Sequence, residues 1–509
     1  MKKIASLLIA AGTLLAAVSV LGDFIGLGKR GDLGAAQILG IDAGVGLLLL
    51  GAGLLTVKQV EGIVPSVSRD LGRGGRLRRI LRRIFDLPPT FWVVSGFIAV
   101  YLSLFVLPVF FTKPSIQYLT KYIPDAYVTH IGFDMDMTMG RVGRWLDTNQ
   151  SPYSDDYFYS PLTLIIFAPL LVLEYPAYYE LSTIITVVAF AACSLILPLF
   201  MSRKKDWALI LLLFITGLFS YGFQFELERG QYNVITFALA LLAIYLFHDH
   251  ERLWYYAYLL FSLAIQLKIY PVFLTVMFIR DWRDWKNNLK RIAGLALFNF
   301  ALLFVMGYRL FRDFVSNLTG VQLYFQSSRR EDLSIKGFVL DLTTDGFGII
   351  SADRLPSLAQ HTGLIEGIFI VIFAICLFSV IAADYRRKRK GWNPYLLLIA
   401  AIGMLIVPSA SVDYKLPLLV APLAILFSNL HPVQGGKNKI VSVVLILIAS
   451  TAYWLTQYPF TVKPYILSRN FPALFVLLVS VTILYFVQDR NNGSGIVETP
   501  GGNELPDPG

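Results

Sequence analysis

Apolar runs of roughly 18 or more residues recur from one end of this chain to the other, each long enough to cross about 30 Å of hydrocarbon as a helix. Backbone polar groups in lipid must be satisfied within the segment, so the runs imply helices. The chain has 509 residues, 56% hydrophobic and 14% aromatic, which leaves too little polar surface for a water-soluble protein of this size. The expected fold class is all-α: a polytopic transmembrane helical protein.

The net charge of +10 does not point to nucleic acid. Lys and Arg gather in short segments between apolar runs: "MSRKKD" (Met201 to Asp206), "RDWRDWKNNLKR" (Arg280 to Arg291), "DYRRKRKG" (Asp384 to Gly391) and "GGKNK" (Gly435 to Lys439). That is the distribution of cytoplasmic loops. The segment Gly72 to Pro89, "GRGGRLRRILRRIFDLPP", adds a basic amphipathic helix suited to an anionic inner leaflet. Cys193 and Cys376 lie inside apolar runs, and the histidines show no metal-ligand spacing.

Threading the chain under these charges gives about fourteen spans (12–15) with both ends cytoplasmic. They are expected near Ile4–Leu21, Ile38–Val57, Phe91–Phe111, Tyr178–Phe200, Leu209–Ser220, Val234–Phe247, Leu253–Gln266 and Tyr270–Ile279. The rest lie near Ile292–Arg309, Leu364–Ala383, Tyr395–Val407, Leu416–Leu430, Ile440–Trp454 and Leu474–Val487. Pro161 to Leu173 then only dips into the outer leaflet. The competing thread makes it a full crossing and merges Leu253–Ile279, at the cost of placing "SRKK" outside. Ile4–Leu21 reads as a retained helix in preference to a signal peptide, since no small-residue cleavage site follows it.

The organisation expected is two N-terminal spans (1–57), a basic linker (58–90), a catalytic membrane module (91–310) with a first outer loop (112–160), a second outer loop (311–363), C-terminal spans (364–487) and a disordered cytoplasmic tail (488–509). Polar side chains concentrate on the outer side: Asp134, Asp136, Glu226, Glu228, Gln231, Asn233, Lys268, Arg329, Arg330, Lys336, Asp413, Tyr414 and Lys415. A carboxylate held at a water–lipid boundary suits general-base chemistry, and nearby cations suit a phosphate. The aromatic residues of the loops, Tyr153 and Tyr159 among them, suit a sugar face or an interfacial belt.

Four segments resemble glycosyltransferase family 87 of the GT-C superfamily, the polyprenyl-phosphomannose-dependent mannosyltransferase type. They are Asp134 with "GRWLDTNQSPY" (Gly143 to Tyr153) and "YSPLTLIIFAPL" (Tyr159 to Leu170); "FELERGQYN" (Phe225 to Asn233); "LAIQLKIYPVFL" (Leu263 to Leu274); and "LIVPSASVDYKLPLLVAPL" (Leu405 to Leu423). The resemblance covers about Phe91 to Leu430. Ser160 stands where the family has a proline and Asp413 where it has a histidine, and the spacing leaves Asp136 open as the matching carboxylate.

The resemblance implies a GT-C-like fold and an inverting sugar transfer from a polyprenyl-phosphate donor to a glycolipid or glycan acceptor. The site would lie on the extracytoplasmic side of the cell (plasma or inner) membrane. Asp134 would be the base. Asp136, Tyr153, Tyr159, Glu228, Gln231, Asn233, Lys268, Arg329, Arg330, Lys336, Asp413, Tyr414 and Lys415 would contact substrate. No resident cofactor is assigned, and a divalent metal at the carboxylates stays open. A transporter or flippase of lipid-linked sugars is the alternative; it would need ionisable residues at the span centres.

Overall fold

The computed structural model describes residues 2–21, 89–101, 131–324, 332–430, 436–457 and 470–491, with short breaks within these ranges, and a few residues between 43 and 51. The second span, the basic segment Gly72–Pro89, Arg329, Arg330 and the C-terminal tail lie outside the described residues.

Helices account for the architecture, and no strand is present among the described residues. In chain order they are α1 (Lys2–Leu21), α2 (Pro89–Tyr101), α3 (Phe133–Thr148), α4 (Leu162–Phe167), α5 (Ala177–Met201), α6 (Trp207–Leu218), α7 (Tyr221–Arg229), α8 (Asn233–Asp249) and α9 (Trp254–Leu267). After a 3₁₀ segment, Tyr270–Phe278, come α10 (Trp285–Leu302), α11 (Tyr308–Tyr324), α12 (Ile335–Thr344), α13 (Leu355–Ala359), α14 (Thr362–Arg386) and α15 (Pro394–Ile406). A second 3₁₀ segment, Asp413–Leu419, leads into α16 (Val420–Ser428), α17 (Gly436–Gln457) and α18 (Asn470–Asn491).

Burial runs opposite to the pattern of a water-soluble helix. On α14 the large side chains of Leu364, Ile368, Val371, Ile375 and Phe378 recur at helical spacing, and all are exposed. On α5, Leu181, Ile184, Ile185 and Val188 face outward while Ser182 and Thr186 are buried. An apolar stripe of this size is costly in water and stable in lipid. Polar side chains join helices inside: the Asn299 amide donates to Ser262 Oγ at 3.0 Å, and the Gln266 amide donates to Asn299 Oδ1 at 3.2 Å. The centre belongs to α15 and α16, apolar on every face and buried at every residue.

Among the described residues, α5, α14 and Asn470–Gln488 are long and apolar enough to cross a bilayer, and α6 with α7 adds a fourth if that bent pair is one span. Several segments expected as full crossings are shorter. Tyr270–Phe278 has 9 residues, about 18 Å of 3₁₀ rise, and α9 has 14, about 21 Å. The expected span Ile292–Arg309 is also redrawn. The helix begins at Trp285, its Lys and Arg stems running along apolar surface, and the chain turns at Gly307, whose φ of 88° only glycine adopts readily.

Both expected loops are partly helical. In the first, Met135, Met139 and Val142 repeat at one-turn spacing and bury one face of α3. In the second, Leu310 and Phe314 of α11 pack into the same cluster, with Tyr153, Tyr157, Phe167, Tyr178, Tyr232 and Leu267. This small core, separate from the main one, seats α3 and α11 over the ends of α8 and α9.

Candidate active site

Two glycines bring the start of α3 against the turn between α7 and α8. Gly132 (φ 78°) precedes α3 and donates its N–H to the Glu228 carbonyl at 2.7 Å. Gly230 (φ 65°) ends α7, and a Cβ added there would stand 2.8 Å from Met135 Cβ and 3.2 Å from Gly132 Cα. Gly230→Ala should therefore cost about 1–3 kcal/mol and lower activity, because the left-handed turn and the close approach are both lost. Thermal unfolding in detergent checks this; an unchanged melting temperature with full activity would contradict it.

That approach sets Asp134, in the first turn of α3, beside the α7–α8 turn. Asp134 Oδ2 accepts the Gln231 side-chain amide at 2.7 Å, and Oδ1 lies 3.5 Å from an Arg229 guanidinium nitrogen. Gln231 turns its other end to Lys268, whose Nζ donates to Gln231 Oε1 at 2.9 Å and to the Tyr159 hydroxyl at 3.2 Å. The ammonium also lies 4.3 Å from the ring centroids of both Tyr159 and Tyr232. One amide thus links a carboxylate to an ammonium, at most about 8 Å apart by hydrogen-bond and amide lengths. The Asp134 side chain keeps 27% of its surface exposed, so a carboxylate with spare lone pairs faces out of the network.

Every position in this network is a helix end or a turn. Lys268 follows α9, where the backbone turns extended, and Gln231 lies between α7 and α8. Tyr159 is held from beneath, because the Tyr153 hydroxyl donates to its carbonyl at 3.0 Å. Asn317 of α11 donates to the Tyr157 carbonyl at 2.7 Å, and Ser160 Oγ donates to the Gln266 carbonyl at 2.7 Å.

The remaining expected site residues separate by environment. Asp136 lies about 200° around α3 from Asp134 and accepts a hydrogen bond from the Tyr178 hydroxyl. Tyr153 is buried against Tyr157 and Phe314. Asn233 donates to Glu226 at 2.6 Å and accepts from the Tyr270 hydroxyl at 2.8 Å, while Glu226 also takes the Val234 N–H at 3.0 Å. Those bonds close the N-terminus of α8 and are structural in geometry. Glu228 is half-buried, with Oε2 sealed from solvent and without a hydrogen-bond partner. Lys336 is the second residue of α12 and half-buried.

The segment Asp413–Lys415 forms the first turn of the second 3₁₀ segment. Asp413 is buried. Burial pushes the Tyr414 hydroxyl well above its ordinary range, and the charge on Asp134 adds to the effect, so the two groups are neighbours. Lys415 is buried, with Nζ 3.3 Å from Ser411 Oγ and 4.8 Å from the Tyr270 ring centroid. Its pKa falls to about 7, chiefly from desolvation and then from the charge on Lys268.

Sequence reading missed Arg229, Tyr270 and Asp332. Arg229 sits in the quoted "FELERGQYN", but its ion pair becomes visible only once α3 is placed. Asp332 Oδ1 accepts the Ser334 and Ser411 N–H groups at 2.8 and 3.4 Å and ties the start of α12 to the strip before Asp413. Among the described residues no group of three or more His, Cys, Asp or Glu converges to hold a metal ion.

The family model of glycosyltransferase family 87 matches residues 157–408. The chain belongs to glycosyltransferase family 87. It is therefore a sugar-transferring enzyme, with a sugar donor and a glycan acceptor as its substrate classes. Neither the curated proteins nor the solved structures contain a match to it. The matched stretch of the glycosyltransferase includes Tyr159, Glu228, Gln231, Asn233, Lys268 and Lys336; Asp134 precedes it and Asp413–Lys415 follow it. Hence the family match supports one half of the polar network, and the carboxylate joins it through the contact to Gln231.

Proposed function

We propose that this family 87 enzyme moves a sugar, mannose or another hexose or pentose, from a polyprenyl-phosphate donor to a hydroxyl of a glycolipid or polysaccharide acceptor. Transfer inverts the anomeric centre and takes place at the extracytoplasmic face of the membrane. The observation carrying this reading is the Asp134–Gln231–Lys268 network, a half-exposed carboxylate and an ammonium held by one shared amide.

The acceptor O–H gives its proton to Asp134 as its oxygen bonds to the anomeric carbon. The bond from that carbon to the phosphate oxygen breaks on the opposite side, and the phosphate leaves with the electron pair. Lys268 stands where it can meet that growing negative charge, and Gln231 fixes the spacing between base and cation. A lipid-borne donor fits a site built from helix ends in an apolar, membrane-integrated body. Arg329, Arg330 and Lys336 remain further candidates for the phosphate.

The test is transfer by the purified full chain, in phosphatidylcholine nanodiscs, from labelled polyprenyl-phosphate sugars to membrane glycolipids. Transfer from the lipid donor and none from nucleotide sugars is expected. Equal transfer from a nucleotide sugar without any polyprenyl carrier would sink the donor assignment. Single cysteines introduced at Ser202 and Ser327 check the sidedness: an impermeant reagent applied outside should spare the first and label the second.

A further inference from the structure

A second polar cluster lies one helix length away from Asp134. Asn233 and Lys268 mark the ends of α8 and α9 at the candidate active site; Phe247 and Trp254 mark their other ends. With α8 at 17 residues, the two ends are about 25 Å apart. At the far end opens a cavity of about 570 Å³, lined among others by Trp254, Tyr258, Arg280, Lys290, Arg291 and Phe298. No carboxylate stands among the described residues that line it.

The three cations come from two elements and converge. Arg280, just past the first 3₁₀ segment, donates to the Phe247 carbonyl and stacks 4.8 Å from the Phe247 ring centroid, so its guanidinium is held in place. Arg280 and Arg291 both act electrostatically on the Tyr258 hydroxyl, which puts them on either side of one polar tip. Along α10, residues Arg291, Gly294, Leu295 and Phe298 fall at one-turn spacing and line the cavity in that order. The wall therefore grades from cationic to apolar. Beyond it, Leu297 and Phe300 are exposed on the same helix, and Trp254, Tyr255, Tyr256 and Trp285 form an exposed aromatic belt around the opening.

We propose that this cavity binds the phosphate of an anionic phospholipid, with the acyl chains lying along the exposed apolar part of α10. A cationic rim continuous with an apolar helix face matches an amphiphile better than a free anion. The "RDWRDWKNNLKR" segment that supplies all three cations has the charge pattern of a cytoplasmic loop, where anionic lipid is concentrated. The site is separate from the transfer chemistry and does not depend on the donor or acceptor.

Gly294 supplies a clean variant. A Cβ added there meets nothing within 4 Å, so Gly294→Phe fills the cavity, leaves every charge in place and improves helix propensity. Native mass spectrometry of the full chain, titrated with phosphatidylglycerol or phosphatidylcholine, reads the binding. Phosphatidylglycerol should be retained about tenfold more strongly or better. That preference should vanish in Lys290→Gln with Arg291→Gln and, independently, in Gly294→Phe. Preference for the anionic lipid unchanged in Gly294→Phe, or inorganic phosphate competing as well as the lipid binds, would overturn the proposal.

Discussion

Asp134→Asn should lower kcat by about 10²–10⁴-fold, the range of a lost general base, while the melting temperature stays within a few degrees of wild type. The amide is isosteric and can still accept from Gln231, so α3 has no reason to move. It cannot take the acceptor proton. The Arg229 contact is long at 3.5 Å and partly solvated, and losing its charge partner should cost no more than about 1 kcal/mol. Asp136→Asn is the internal control. Its carboxylate is engaged by Tyr178 on another side of α3, and the loss expected there is smaller than for Asp134. Full transfer by Asp134→Asn, with transfer abolished by Asp136→Asn, would hand the base role to the second carboxylate.

Lys268→Met should lower kcat by about 10²–10³-fold, the cost of removing one positioned charge from a developing anion. Methionine keeps the apolar stem between Tyr159 and Tyr232 and removes only the ammonium. Losing two cation–π contacts should lower stability by about 1–3 kcal/mol, which unfolding measurements report separately. A purely structural lysine and a phosphate-facing one differ in their dependence on leaving group. If Lys268 stabilises the departing phosphate, a donor with a less basic leaving group should restore more rate to Lys268→Met than to wild type. A raised KM at unchanged kcat, with no leaving-group dependence, would leave Lys268 as a binding or packing residue only.

The membrane character of the chain was legible because it depends on composition and run length, which need no knowledge of partners. The inverted burial on α5 and α14 follows from that composition directly: a helix apolar on its outward face has nowhere but lipid to put it. Helix extents were less legible. The stretch Phe133–Thr148 reads as polar loop by charge density, yet Met135, Met139 and Val142 bury one face and carry the rest of the helix with them. Segments such as Tyr270–Phe278 are apolar enough to suggest a span, but the run is too short to make one alone.

The amino-acid sequence by itself determined an all-helical, membrane-integrated body of the family 87 type, and it supplied Asp134, Gln231, Lys268 and Tyr159 as candidates. Tertiary structure decided that these four meet, that Asp136 and Asn233 are occupied with Tyr178 and Glu226, and that Arg229 joins Asp134. The physical reason is separation along the chain. Asp134 and Gln231 are 97 residues apart, and Gln231 and Lys268 are 37 apart. Local periodicity fixes which face of a helix is apolar, whereas contacts at such distances form only when packed helices, here drawn close at Gly132 and Gly230, bring their ends together.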